Sequence, residues 1–163
     1  MPTFTAFKNK PMKRFCYILF LAIVGSACKE VYEAPPQALV QASFLNSESN
    51  KAISSTISIW GIGRENLWVK DTLLSTVIFP LSSNDTTNYL ISFDSKVDTV
   101  RLIHETFKKY DSMETGFYFD FKIKSIDYTN NRIDYILIID SLVTKDWHEN
   151  IKFYLRPLPA GNN

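Results

Sequence analysis

Histidine and glycine are scarce in this 163-residue chain, with two of the first and five of the second. Two histidines leave few neutral-pH bases, and five glycines do not suggest a low-complexity chain. Of the two cysteines, Cys16 and Cys28, only Cys28 follows the first apolar run. A thiolate zinc site and an intramolecular disulfide in the remainder are therefore excluded, and the fold must rest on a hydrophobic core. No apolar run reaches the roughly 20 residues that span a bilayer as a helix. Gly-x-Ser-x-Gly, Walker and EF-hand spacings are missing, Gly61-x-Gly63 is too short for a dinucleotide fingerprint, and no cofactor motif is visible. Charge of one sign is also lacking. The four basic side chains of residues 1–27 face no acid, and residues 28–163 carry 14 basic against 17 acidic. That is not the footprint of a nucleic-acid binder.

What is present begins with a leader. Lys13-Arg14 precedes the apolar run Phe15–Val24, and Gly25-Ser26-Ala27 leads to Cys28. A basic segment, about ten apolar residues and small residues in that order predict a signal peptide over residues 1–27. Met12 offers an alternative start. Gly25-Ser26-Ala27-Cys28 resembles a lipobox, with Gly25 where that motif usually has Leu. The resemblance implies that Cys28 becomes the lipid-modified first residue and ties the chain to a membrane. The other reading is an ordinary secretory leader cleaved after Ala27, with Cys28 a free thiol.

Lys29-Glu30 beside the cysteine resembles the surface-export signal of Bacteroidota-type lipoproteins, a lysine followed by acids; a solvated linker reads equally well. Residues 28–37, with Pro35-Pro36, predict an extended tether.

From residue 38 the apolar period is two. Val40-Ala42-Phe44, Val77-Phe79-Leu81, Tyr89-Ile91-Phe93 and Ile151-Phe153-Leu155 each alternate with polar neighbours, as half-buried strands do. Phe117-Phe119-Phe121-Ile123 is the clearest case and predicts an inward face, with Asp120 turned to solvent. Ile136–Ile139 is continuously apolar and predicts a central strand covered on both faces. Residues 105–114 favour a loop or strand extension over a helical turn. Polar clusters at 46–50, 82–85, 94–95 and 130–131 mark turns. The prediction is an all-β, immunoglobulin-like antiparallel sandwich of seven to nine strands over residues 38–156, with a frayed tail at 157–163.

The opening Cys28-x-x-Val31-Tyr32-Glu33-Ala34-Pro35-Pro36-Gln37, the segments Asp71-Thr72-Leu73 and Ile78–Ser82, and the ending Asn150–Tyr154 are together similar to a family of Bacteroidota lipoproteins catalogued as a domain of unknown function. The resemblance covers about residues 28–156. It implies an envelope location and a β fold, and brings no activity.

Candidate chemistry is sparse. His104, beside Glu105 and with Asp120 on another strand, is either part of an acid–base or metal pair or an ordinary hydrogen-bonded strand histidine. His148 lies in Trp147-His148-Glu149, where the tryptophan serves either to stack on a sugar or to cover the end of the sandwich. Trp60 and Trp147 are candidate partner surfaces; Trp68, Tyr118 and Tyr154 extend the aromatic set. The expectation is a non-catalytic lipoprotein of the cell envelope, in the outer membrane and facing either side, that binds or supports another envelope component, with an envelope protein as the candidate partner. A glycan- or lipid-binding module is the alternative, and a hydrolase the third.

Overall fold

In the computed structural model, which describes residues 37–63 and 66–158, alternating side chains build ten strands and no helix. They are β1 (Leu39–Asn46), β2 (Ser55–Gly61), β3 (Leu67–Leu74), β4 (Thr76–Pro80), β5 (Thr86–Phe93), β6 (Lys96–Ser112), β7 (Gly116–Tyr128), β8 (Ile133–Ile138), β9 (Leu142–Val143) and β10 (Glu149–Leu155). All lie in the unit Ala34–Asn163. The leader, Cys28, Lys29, Glu30 and nearly all of the tether fall outside the described residues, as do Arg64, Glu65 and residues 159–163.

The strands form two sheets, ordered β4-β1-β10-β8 and β3-β2-β5-β6-β7-β9. The expected all-β sandwich is thus present, with ten strands rather than seven to nine. All pairings are antiparallel except β1 with β10. The sheets bury one shared core. Phe44 and Phe153 of the smaller sheet meet Phe93 of the larger one, with ring centroids 5.4 and 5.9 Å away. In β5, buried Thr87, Tyr89, Ile91 and Phe93 alternate with Asn88, Leu90 and Ser92, the pattern a one-sided sheet requires.

The β5–β6 hairpin turns on Asp94 and Ser95, both at positive φ (48° and 71°), the two-residue turn whose twist matches the strands. Asp94 accepts from Thr56 N–H, the Ser55 hydroxyl and the buried Arg132 guanidinium, the last at 3.0 Å. Burial pushes its carboxyl up, but these donors and the Arg132 charge outweigh burial and hold it below the ordinary value.

Two expectations need correction. Phe117, Phe119, Phe121 and Ile123 do share one face of β7, yet only Phe121 and Ile123 are buried. Phe119 is 38% exposed and Phe117 56%. The reason is length. β5 begins at Thr86, opposite Ile103, while β6 runs on to Ser112 and β7 starts at Gly116. The far half of the β6–β7 hairpin therefore runs on past β5, its neighbour in the same sheet, and the exposure of Phe117 and Phe119 shows that its inner face is left uncovered there. Residues 105–112 are accordingly a strand extension.

The second correction concerns Ile136–Ile139. β8 is an edge strand, paired only with β10, and Leu137 and Ile139 are exposed. An apolar run reports what a strand is made of and not where the chain topology places it.

Candidate functional site

His104 lies on the inner face of β6 and is buried. Its Nε2 and the Thr87 hydroxyl are 2.8 Å apart, its ring meets Phe121 edge-on, and its Nδ1 has no hydrogen-bond partner. Alternation sends Glu105 to the opposite face, where it pairs with Lys124 at 2.6 Å. Asp120 stands opposite Phe107 on that same far face. It is half-buried rather than open to solvent, with one carboxylate oxygen enclosed and unpaired. The three candidate groups are therefore not brought together. Among the described residues no cluster of three or more His, Cys, Asp or Glu could hold a metal ion.

Burial holds the His104 imidazole below its ordinary value of 6.5, against an opposing pull from the Asp85 charge. A histidine with a lowered folded-state pKa binds fewer protons folded than unfolded. Its contribution is complete above 6.5 and declines as pH falls through that value toward the folded one. Urea unfolding between about pH 7 and 5 should show this slope, and His104→Gln should flatten it. An unchanged slope would mean that His104 is not the group responsible.

His148 braces a turn: Nδ1 lies 2.8 Å from the Asp146 carbonyl and Nε2 lies 3.1 Å from Asp140 Oδ2. Beside it, the exposed Trp147 donates from Nε1 to the Gln37 carbonyl at 2.9 Å, clasping the start of the domain. Trp60 is half-buried on the outer face of β2, opposite Leu67 and Leu90. Tyr154 stacks on Tyr135 at 4.2 Å.

The open edges of the sheets differ in how they are guarded. β3 is bulged twice against β2 and holds Asp71 at positive φ. β4 ends on Pro80, and Trp68 Nε1 donates to its Ile78 carbonyl at 2.7 Å. β9 has two residues. These are the usual ways of blunting an edge. β8 has none of them along Tyr135–Ile138, where its register with β10 is regular. Ile139 N–H donates to Asn150, so by antiparallel alternation Ile136 and Ile138 turn their amides toward the open side. Tyr135, Leu137 and Ile139 make an exposed apolar stripe along the same edge.

A cleft of about 850 Å³ opens between the ends of β2 and β4 and the starts of β3 and β5. The exposed Trp68 lines it with Asn66, Ser82, Asn84 and Asn88, and none of its described lining residues is charged.

The sites that sequence reasoning missed are the β8 edge and this cleft. The cleft has no local signal, because its walls come from four strands. The edge had one: a strand apolar on both faces needs covering, whoever supplies the cover.

The fold defines a class, the two-sheet β-sandwich of ten strands. Within it, the chain belongs to the Family of unknown function (DUF6452), whose model matches residues 56–155, from within β2 to the last residue of β10. No curated protein and no solved structure matches the chain.

Proposed function

We propose that this protein is a non-catalytic lipoprotein of a Bacteroidota-type cell envelope, anchored through Cys28, that binds another envelope protein by strand addition along β8. The leader pattern ending at Cys28 supports the anchor, and Lys29-Glu30 supports export to the outer membrane. The observation that carries the partner reading is β8 itself. It has the composition of a strand with neighbours on both sides and both faces, and it sits at an unguarded edge. An added strand would satisfy the outward amides of Ile136 and Ile138 and cover Leu137.

The test is made in cells, with a photo-crosslinking residue at Leu137 and an alkynyl fatty acid as label. The expected result is one envelope-protein adduct at position 137, lost on Tyr135→Lys, and a lipid label lost on Cys28→Ser. Lysine at 135 gives up the stack on Tyr154, a loss of about 0.5–1.5 kcal/mol that leaves the rest of the core untouched. Absence of an adduct would reject strand addition; a label that survives Cys28→Ser would reject the anchor.

The Trp68 cleft favours a second reading, a module for a neutral glycan. An indole face flanked by amides and hydroxyls, without charge, is chemistry that suits a sugar ring.

A further inference from the structure

We propose that the projecting end of the β6–β7 hairpin is a membrane-docking ribbon, which seats Tyr110, Met113, Phe117 and Phe119 in the interfacial layer of the bilayer that holds the Cys28 lipid. The proposal rests on the anchoring reading above.

In an antiparallel pair, opposed residues share a face, so Lys108 with Phe119 and Tyr110 with Phe117 continue the inner face of the sandwich beyond its cover. Tyr110 and Phe117 pack edge-to-face with centroids 5.4 Å apart, and Lys108 Nζ lies 4.2 Å over the Phe117 ring. Met113 at the turn is 91% exposed. Aromatic rings with a tyrosine hydroxyl and a lysine at their border match the layer between acyl chains and headgroups, where amphipathic rings and snorkelling lysines collect. Lys108 and Lys109 favour anionic headgroups, and Glu114 opposes them.

The ribbon is also braced. Lys145 Nζ binds Asp111 at 2.9 Å, Thr115 donates to the same carboxylate, and Ser112 accepts from Thr115 N–H. Asp111 is held below its ordinary range by the Lys145 bond and then the Thr115 bond. The turn thus satisfies these polar groups internally and holds the ribbon tip in shape.

Position supplies the occupant. The ribbon leaves the sandwich at the end where β1 begins, since Leu39 pairs with Pro80 of β4 and β5 starts at Thr86 shortly after. The segment that grips Asp111 through Lys145 also grips Gln37 through Trp147. Cys28 and Gln37 are nine residue steps apart, a reach of at most about 30 Å. β6 continues past Ile103 for roughly 30 Å of strand. A lipid on Cys28 and the ribbon tip can therefore meet one bilayer.

The experiment uses the processed chain, residues 28–163, in which Cys28 is the only cysteine and all ten strands are retained. Its thiol is coupled to a maleimide lipid in vesicles of phosphatidylethanolamine and phosphatidylglycerol, so the outcome does not depend on natural lipidation. Hydrogen exchange is compared with the soluble, thiol-blocked protein. Amides of residues 110–117 should exchange at least about tenfold more slowly on vesicles, with β3 unchanged. The Tyr110→Ser/Phe117→Ser variant should lose that slowing, while protection of β5 reports an intact fold. Equal exchange on and off vesicles, slowing that persists in the variant, or slowing that needs added envelope protein would each overturn the proposal. Failure of the anchor is read separately, by the fatty-acid label.

Discussion

Alanine at Phe93 is expected to lower unfolding stability by about 3–5 kcal/mol, a large share of the roughly 5–15 kcal/mol of an ordinary domain. Phe93 is fully buried and packs on Phe44 and Phe153 across the sheet interface, so its loss opens a cavity that neither backbone can close. The same change at Phe119, equally aromatic and equally in register with a core face, is expected to cost under about 1 kcal/mol. Urea titration of the two variants gives the comparison directly. Equal losses would mean that the hairpin end is covered in solution.

Asp98→Ala is expected to be as damaging, again about 3–5 kcal/mol, for a different reason. The carboxylate is fully buried at the start of β6. One oxygen accepts from the Thr129 hydroxyl and Asn131 N–H at 2.8 and 2.7 Å; the other accepts from the Arg132 and Ile133 N–H groups at 2.8 and 3.0 Å. Four donors in the β7–β8 turn thus converge on one side chain. Alanine strands them, and the buried N–H groups of Arg132 and Ile133 cannot turn to water. Asp98→Asn keeps the shape but aims an amide donor at these N–H groups, so it should fall between wild type and alanine. Thermal melts of the two variants test this order, and a neutral Asp98→Ala would show that the turn closes without its acceptor.

Neither effect could be ranked from sequence. Asp98 carries no local signal, because its four donors lie more than thirty residues downstream. Phe93 and Phe119 read alike, because period-two alternation names a face and is silent about whether anything lies over it. His104 shows the same limit from the other side. Its neighbour Glu105 was a plausible partner on paper, yet adjacent strand residues point to opposite faces.

The sequence by itself determined the class of fold and the facing of most strands. Burial of β-branched and aromatic residues on one side of a pleated chain leaves only alternation as a solution, and alternation is written locally in runs such as Tyr89-Ile91-Phe93. Only the tertiary structure decided which strands sit at edges and how far each one is covered. Those depend on hydrogen-bonded neighbours distant in the chain, as when β10 lies between β1 and β8 and leaves β8 at the edge, or when β6 runs on past the start of β5. The surfaces proposed for binding arise at those two places, where an apolar strand outlasts the structure that would bury it.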